Sequence, residues 1–198
     1  MISSDKALLV IDMQQGLFRG PVSPHCADNV LENICLLIAK ARQERVPIFF
    51  ARHTGPDDSP FSEQSPLTQL IAEMDVDAGR DIIFVKKYPS CFRDTTLLHH
   101  LEQAGVTQLV IAGMKTEFCV DTTCRAAPER GFKTVLISDA HTTMDSECLS
   151  ASDIISHHNA TLGGPFVTLS TTAEWHFGSD KSALFSGSGV AGKLNGHH

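Results

Sequence analysis

No stretch of this sequence approaches the ~18–20 consecutive apolar residues that a membrane-spanning helix requires. Basic residues are also scarce: 16 Lys+Arg stand against 23 Asp+Glu, a formal net charge of −7. That balance argues against a nucleic-acid partner or an anionic membrane surface, either of which calls for a basic face. None of the six cysteines forms a C-x-x-C pair, so no structural zinc site is expected, and the chain is too long for a small secreted disulfide framework. The opening MISSDKALLVIDMQQ lacks the basic n-region and cleavage site of a secretory signal, and a cytoplasmic protein is expected. A G-x-S-x-G nucleophile elbow and a phosphate-binding G-x-x-x-x-G-K are missing too. One G-x-G-x-x-G match, Gly187 to Gly192, has only six residues after it, too few for the acidic partner about 20 positions on that a dinucleotide site needs.

What is present is enough apolar sequence for a full core. Hydrophobic residues make up 42% of 198 positions, and a chain of this size buries about two-thirds of its unfolded surface. The reading is one domain over residues 1–177 followed by a Gly/Ser-rich tail, 178–198. Strands are predicted at Ala7–Ile11, Pro47–Ala51, Asp81–Val85, Gln108–Ala112, Thr134–Ser138 and Phe166–Leu169. Their starts lie about 40, 34, 27, 26 and 32 residues apart, the length of a strand–helix–strand crossover. Continuous apolar runs such as LLVI and LVIA suit strands covered on both faces. Helical spacing fills the gaps: Val30, Ile34, Leu37, Ile38 and Ala41 after a predicted N-cap at Asp28, then Leu97, Leu98 and Leu101 before Gly105, then Val120, Cys124 and Ala127. The proline-bearing segment from Gly55 to Pro66 reads as a rim loop. The fold class is α/β, a parallel sheet with helices on both faces.

Ligands of such folds bind beyond the carboxyl ends of the strands. Three residues stand there: Asp12 after LLVI, Lys86 after IIFV, and Cys119 in GMKTEFCV after LVIA. With Thr116 as an N-cap, Cys119 falls near the third residue of a helix, where the dipole and unpaired amides would lower a thiol pKa. A lysine nearby would add to this, and a carboxylate could move the proton. Taken alone, the spacing equally fits a packing cysteine beside an ordinary ion pair. The doublets His157-His158 and His99-His100 are not metal sites, because adjacent helical residues point about 100° apart.

The segments ALLVIDMQQGLF, VKKYPSCF and GMKTEFCVDTTCRAA, in this order, resemble the three motifs of the isochorismatase-like cysteine hydrolases, the family of nicotinamidases, N-carbamoylsarcosine amidases and isochorismatases. The resemblance spans Lys6 to Leu169. It implies a three-layer fold with six parallel strands in the order 3-2-1-4-5-6, bringing Asp12, Lys86 and Cys119 together. It further implies Asp12 as general base or acid, Lys86 as the cation that orients it and favours the thiolate, and Cys119 as nucleophile. Lys86 is preferred to Lys87 because the family lysine precedes Ser-x-Phe by four residues, here Ser90-Cys91-Phe92. A cis Met114–Lys115 peptide and an oxyanion hole from the Lys115 and Cys119 amides follow from the same resemblance. Phe18, Phe92 and Phe118 adjoin the motif residues as candidate walls of the substrate pocket.

Where the nicotinamidase branch carries an Asp-x-His metal pair, this chain reads Ala51-Arg52-His53. One histidine is a poor zinc site, so neither metal nor other cofactor is expected. Retention of Cys119 favours hydrolysis of a small amide through a thioester over vinyl-ether cleavage of isochorismate or a non-catalytic scaffold role. The implied partners are a small-molecule substrate and further copies of the chain.

Overall fold

A computed structural model describes residues 4–178. The predicted tail falls, apart from Gly178, outside the described residues. The chain runs β1 (Lys6–Ile11), α1 (Gln15–Phe18), α2 (Ala27–Gln43), β2 (Ile48–His53), β3 (Ile82–Lys86), α3 (Leu97–Gln103), β4 (Gln108–Met114), a π turn (Thr116–Val120), α4 (Asp121–Glu129), β5 (Lys133–Thr142), α5 (Ala151–Leu162) and β6 (Thr168–Ser170). All six strands pair in parallel in the order β3-β2-β1-β4-β5-β6. Among the described residues no helix is long and apolar enough to cross a membrane.

The alternation of a strand explains why the sheet is apolar on both faces. In β1, Leu8 and Val10 point into one core, packed with Val30, Ile34, Leu37 and Ile38 of α2. Ala7, Leu9 and Ile11 point into the other, with Leu97 and Leu101 of α3 and Val120, Cys124 and Ala127 beyond β4. Each fully buried Leu or Ile adds about 1.5–3 kcal/mol, so β1 is stabilised from both sides.

Several boundaries differ from expectation. Helix α2 starts one residue before Asp28, and its N-cap is Cys26 in a left-handed conformation (φ 49°) with no side-chain cap bond. Asp28 sits in the first turn, where its charge still suits the dipole. Strand β2 begins after Pro47, which has no N–H for the ladder. The predicted β6 shifts because Phe166 and Val167 bond back to the Leu162 carbonyl. Strand β5 is longer than predicted. While β4 advances from Ile111 to Gly113, β5 advances from Leu136 to His141, a bulge that sets His141 against Thr116 while Asp139 accepts from Thr172.

Gly113 is where β4 lies closest to β1. Its φ is +124°, and a Cβ there would collide with the backbone of Ile11. Gly105, by contrast, has φ +69° with open space around it, as a helix C′ position does. Gly113→Ala is therefore expected to cost about 4 kcal/mol or more in urea unfolding, against about 1–2 kcal/mol for Gly105→Ala. Equal costs would contradict this account of the β1–β4 approach.

Candidate active site

The carboxyl ends of β1, β2 and β3 and the turn after β4 converge on one point. Asp12 follows β1 with φ 53°, and its amide donates to the Ala51 carbonyl at 3.1 Å. Lys86 ends β3 and lies in register with His53, which ends β2. Since β3 is two strands from β1, a separation of roughly 10 Å, only a long side chain bridges them. Lys86 does so: its Nζ lies 2.8 Å from Asp12 Oδ2, with both side chains buried.

The same ammonium lies 3.2 Å from Cys119 Sγ, 3.1 Å from His53 Nδ1 and 3.2 Å from the Tyr88 carbonyl. The second carboxylate oxygen, Asp12 Oδ1, is buried without a hydrogen-bond partner. The sequence-predicted Asp12, Lys86 and Cys119 thus come together, and the Met114–Lys115 peptide just before the thiol's turn is cis.

The turn itself differs from the predicted cap. Thr116 is the first residue of a π turn, and its side chain caps nothing. Its hydroxyl instead contacts His141 Nδ1 at 2.9 Å, while His141 Nε2 lies 2.9 Å from Asn159 Oδ1. An amide oxygen only accepts, so Nε2 carries the proton and Thr116 donates to Nδ1. Burial pushes the His141 pKa down to about 4, which keeps this brace neutral. Glu117 ties the turn to the rim as well, accepting from the Thr143 hydroxyl at 2.9 Å.

The resting thiol also departs from expectation. Burial, and next the charge of Asp12, push the Cys119 pKa up to about 12, and Lys86 offsets only part of this. Asp12 is itself raised above the usual carboxylate range by burial, against the pull of Lys86. Burial works against the charge on Lys86 as well, but Asp12 and the neighbouring thiols outweigh it and its pKa is raised. The resting sulfur is therefore a thiol beside the Lys86 ammonium, with the Asp12 carboxyl next to both. Removing the Asp12 charge leaves Lys86 unopposed, so Asp12→Asn is expected to lower the thiol pKa. Alkylation of Cys119 by iodoacetamide at pH 7 should then accelerate about tenfold or more. Unchanged or slower labelling would contradict this charge balance.

A cleft of about 290 Å³ opens above these groups, lined by Asp12, Leu17, His53, Pro89, Lys115, Phe118 and Cys119. Of the three predicted pocket phenylalanines only Phe118 is there, 54% exposed. Phe18 is buried in the α2-side core, and Phe92 is buried in the other, stacked on Phe132 at 6.1 Å between centroids. Both side chains turn inward to the two cores, and Leu17, Pro89 and Phe118 form the apolar wall. A larger hollow, about 480 Å³, lies at the opposite rim beside Arg42, Arg45 and Arg80 and holds no nucleophile.

Sequence reasoning passed over Gln14 and His53 as site residues. The buried Gln14 amide donates to the His53 carbonyl at 2.9 Å and to the Thr68 carbonyl at 2.8 Å, and its oxygen accepts from the His53 amide at 2.8 Å. It acts as a short substitute strand at the end of β2. Asp12, His53 and Cys119 bring donor atoms within 4.8 Å of one another, a spacing a metal ion could use. The Lys86 ammonium contacts all three, however, and Ala51 adds no fourth ligand, so the donor set fits the chain's own cation rather than a metal.

A family model described as an isochorismatase domain matches residues 6–163. Streptothricin hydrolase of Streptomyces noursei is 32% identical over 177 residues, covering 88% of this chain and 60% of that protein. Nicotinamidase 3 of Arabidopsis thaliana is 31% identical, covering 71% of this chain and 75% of its own. A crystal structure of an isochorismatase family protein superposes with a TM-score of 0.80 at 32% identity, over 85% of this chain and 99% of that one.

Proposed function

The chain belongs to the isochorismatase family of hydrolases, and from that premise we propose that it is a cysteine amidohydrolase cleaving the C–N bond of a small amide. The observation that carries this reading is the buried Lys86 ammonium, which joins the Asp12 carboxylate at 2.8 Å and the Cys119 sulfur at 3.2 Å on the floor of the cleft. A scaffold has no use for a buried ion pair aimed at a thiol, and vinyl-ether protonation has no use for the thiol.

In the proposed reaction Asp12 takes the Cys119 proton as the sulfur attacks the amide carbonyl. Lys86 holds the carboxylate in place and offsets the charge forming on sulfur. The Lys115 and Cys119 amides stabilise the oxyanion of the tetrahedral intermediate. Collapse breaks the C–N bond, and Asp12 returns its proton to the departing amine. Asp12 then draws a proton from water as the oxygen attacks the thioester, and the acid and the free thiol are regenerated. The raised Asp12 pKa suits both directions of transfer, and the largely apolar walls keep the exchange away from bulk water.

The test is a panel of small primary amides assayed by ammonia release, alongside isochorismate assayed by pyruvate release, with wild type and Cys119→Ser. Ammonia release that requires Cys119 is expected. Pyruvate release undiminished in Cys119→Ser, with no amide turned over, would replace this reading with vinyl-ether hydrolysis.

A further inference from the structure

The turn that carries Cys119 is held by side chains as well as by its backbone. Two of its amides, those of Phe118 and Val120, donate to the Lys115 carbonyl at 3.2 Å each. The next residue, Thr116, is fully buried, and its hydroxyl donates to His141 Nδ1 at 2.9 Å. Glu117 accepts from the Thr143 hydroxyl at 2.9 Å. His141 and Thr143 are two residues apart, so extended chain presents both to one side. Three successive residues ahead of the thiol are thus anchored, two of them to the end of β5.

His141 ties its anchor to a further element. Its Nε2–H donates to Asn159 Oδ1 of α5 at 2.9 Å, and the Asn159 amide nitrogen in turn donates to the Ser138 carbonyl at 3.4 Å. The imidazole is clamped at both nitrogens and buried, with Nδ1 fixed as an acceptor. Burial holds its pKa down to about 4, so that acceptor persists near neutral pH. The bulge in β5 is what brings the ring to the turn, since a regular strand would leave His141 out of step with Gly113. His141 does not line the cleft, and the proposed reaction makes no use of it.

We propose that His141 is a positioning residue for acyl transfer: by holding the Thr116 hydroxyl it fixes the turn whose Lys115 and Cys119 amides meet the oxyanion, without itself touching the substrate. The proposal rests on the nucleophile assignment above and adds what keeps those amides in register with the sulfur. Its signature is selective. Attack at a carbonyl needs the sulfur and both amides aligned, and a misplacement of about 1 Å costs up to ~10²-fold. Alkylation by iodoacetamide passes through no oxyanion. It reads only the reach and ionisation of the thiol, which burial, Asp12 and Lys86 set.

An activated ester, p-nitrophenyl acetate, separates the two steps without a known substrate. The Cys119 sulfur attacks the ester carbonyl and its proton passes to Asp12; one S–C bond forms, the C–O bond breaks and p-nitrophenolate leaves. Release of p-nitrophenolate over the first turnover, corrected with Cys119→Ala for the other thiols, gives the acylation rate. Iodoacetamide labelling of Cys119 in the same samples gives the alkylation rate. Thr116→Val and His141→Leu are each expected to slow acylation about tenfold or more while alkylation changes less than about threefold. His141→Asn, whose amide oxygen takes the place of Nδ1, is expected to restore most of the acylation rate. His141→Gln, which reaches toward Asn159 instead, is not. Thr116→Val and His141→Leu combined should be no slower than either alone, because both break one contact. Acylation unmoved in Thr116→Val, or falling only as far as alkylation does, would overturn this proposal and leave the nucleophile assignment standing. That variant exchanges one hydroxyl for a methyl, and it decides the matter if His141→Leu does not fold. His141→Gln as active as His141→Asn would overturn the proposal too. If wild-type Cys119 takes no acetyl group from the ester, the nucleophile assignment falls and this proposal falls with it.

Discussion

Alanine at position 119 is expected to lower amide turnover by about 10⁴-fold or more while the fold is kept. The two other thiols near this side of the sheet cannot substitute. Cys91 and Cys124 are buried in the core, and burial raises the pKa of both, Cys91 to about 12. Neither lines the cleft. Cys119 is only half-buried and its side chain is small, so its loss should cost under about 1 kcal/mol in urea unfolding. The two effects separate cleanly: the variant should unfold almost as the wild type does and release almost no ammonia. Serine should behave much like alanine, because a hydroxyl is far harder to deprotonate than a thiol. Turnover within tenfold of wild type in either variant would remove the thiol from the mechanism.

Lys86→Met is expected to damage stability as well as activity. The ammonium and its partner carboxylate are both buried, and Asp12 Oδ1 already has no partner. Removing the cation leaves a buried charge uncompensated, a loss of about 3–5 kcal/mol. The sign of the pH dependence follows. Burial raises the folded-state pKa of Asp12, and without Lys86 nothing comparable pulls it back. A group with a raised folded pKa binds its proton more tightly folded than unfolded, so its contribution is present at low pH and is lost as pH rises through the folded value. The deficit of Lys86→Met should therefore be larger at pH 7 than at pH 5. Asp12→Asn removes the charge altogether, so the double variant should be more stable at pH 7 than Lys86→Met alone. Additive losses in this cycle would mean that the two side chains act independently, against the 2.8 Å pairing.

The candidate site residues were readable because a parallel α/β sheet places them by rule. Asp12, Lys86 and Cys119 each follow a continuous apolar run, and a strand covered on both faces must end in polar sequence at the rim where ligands bind. The strand order placed the three together, and the motif resemblance supplied that order. The charge balance was less legible. A cap at Thr116 would have put the thiol on a helix dipole, but Thr116 spends its hydroxyl on His141, and burial beside Asp12 decides the thiol's state.

His53 could not be placed from local sequence, since its role arises from the register that sets it against Lys86. Gln14 gave no periodic signal either, for its partners are the main chain of His53 and Thr68. The phenylalanines show the limit of adjacency. Phe92 closes the Ser-x-Phe step and Phe118 precedes Cys119, yet one is stacked in the core and the other stands open on the cleft.

The most direct test of the account is mass analysis of the enzyme quenched in acid during turnover of an amide found in the panel. The peptide containing Cys119 should carry the mass of the substrate's acyl group, and that adduct should be absent in Cys119→Ala. Steady formation of the acid product with no acyl group on Cys119, and with turnover preserved in Cys119→Ala, would contradict the assignment of Cys119 as nucleophile.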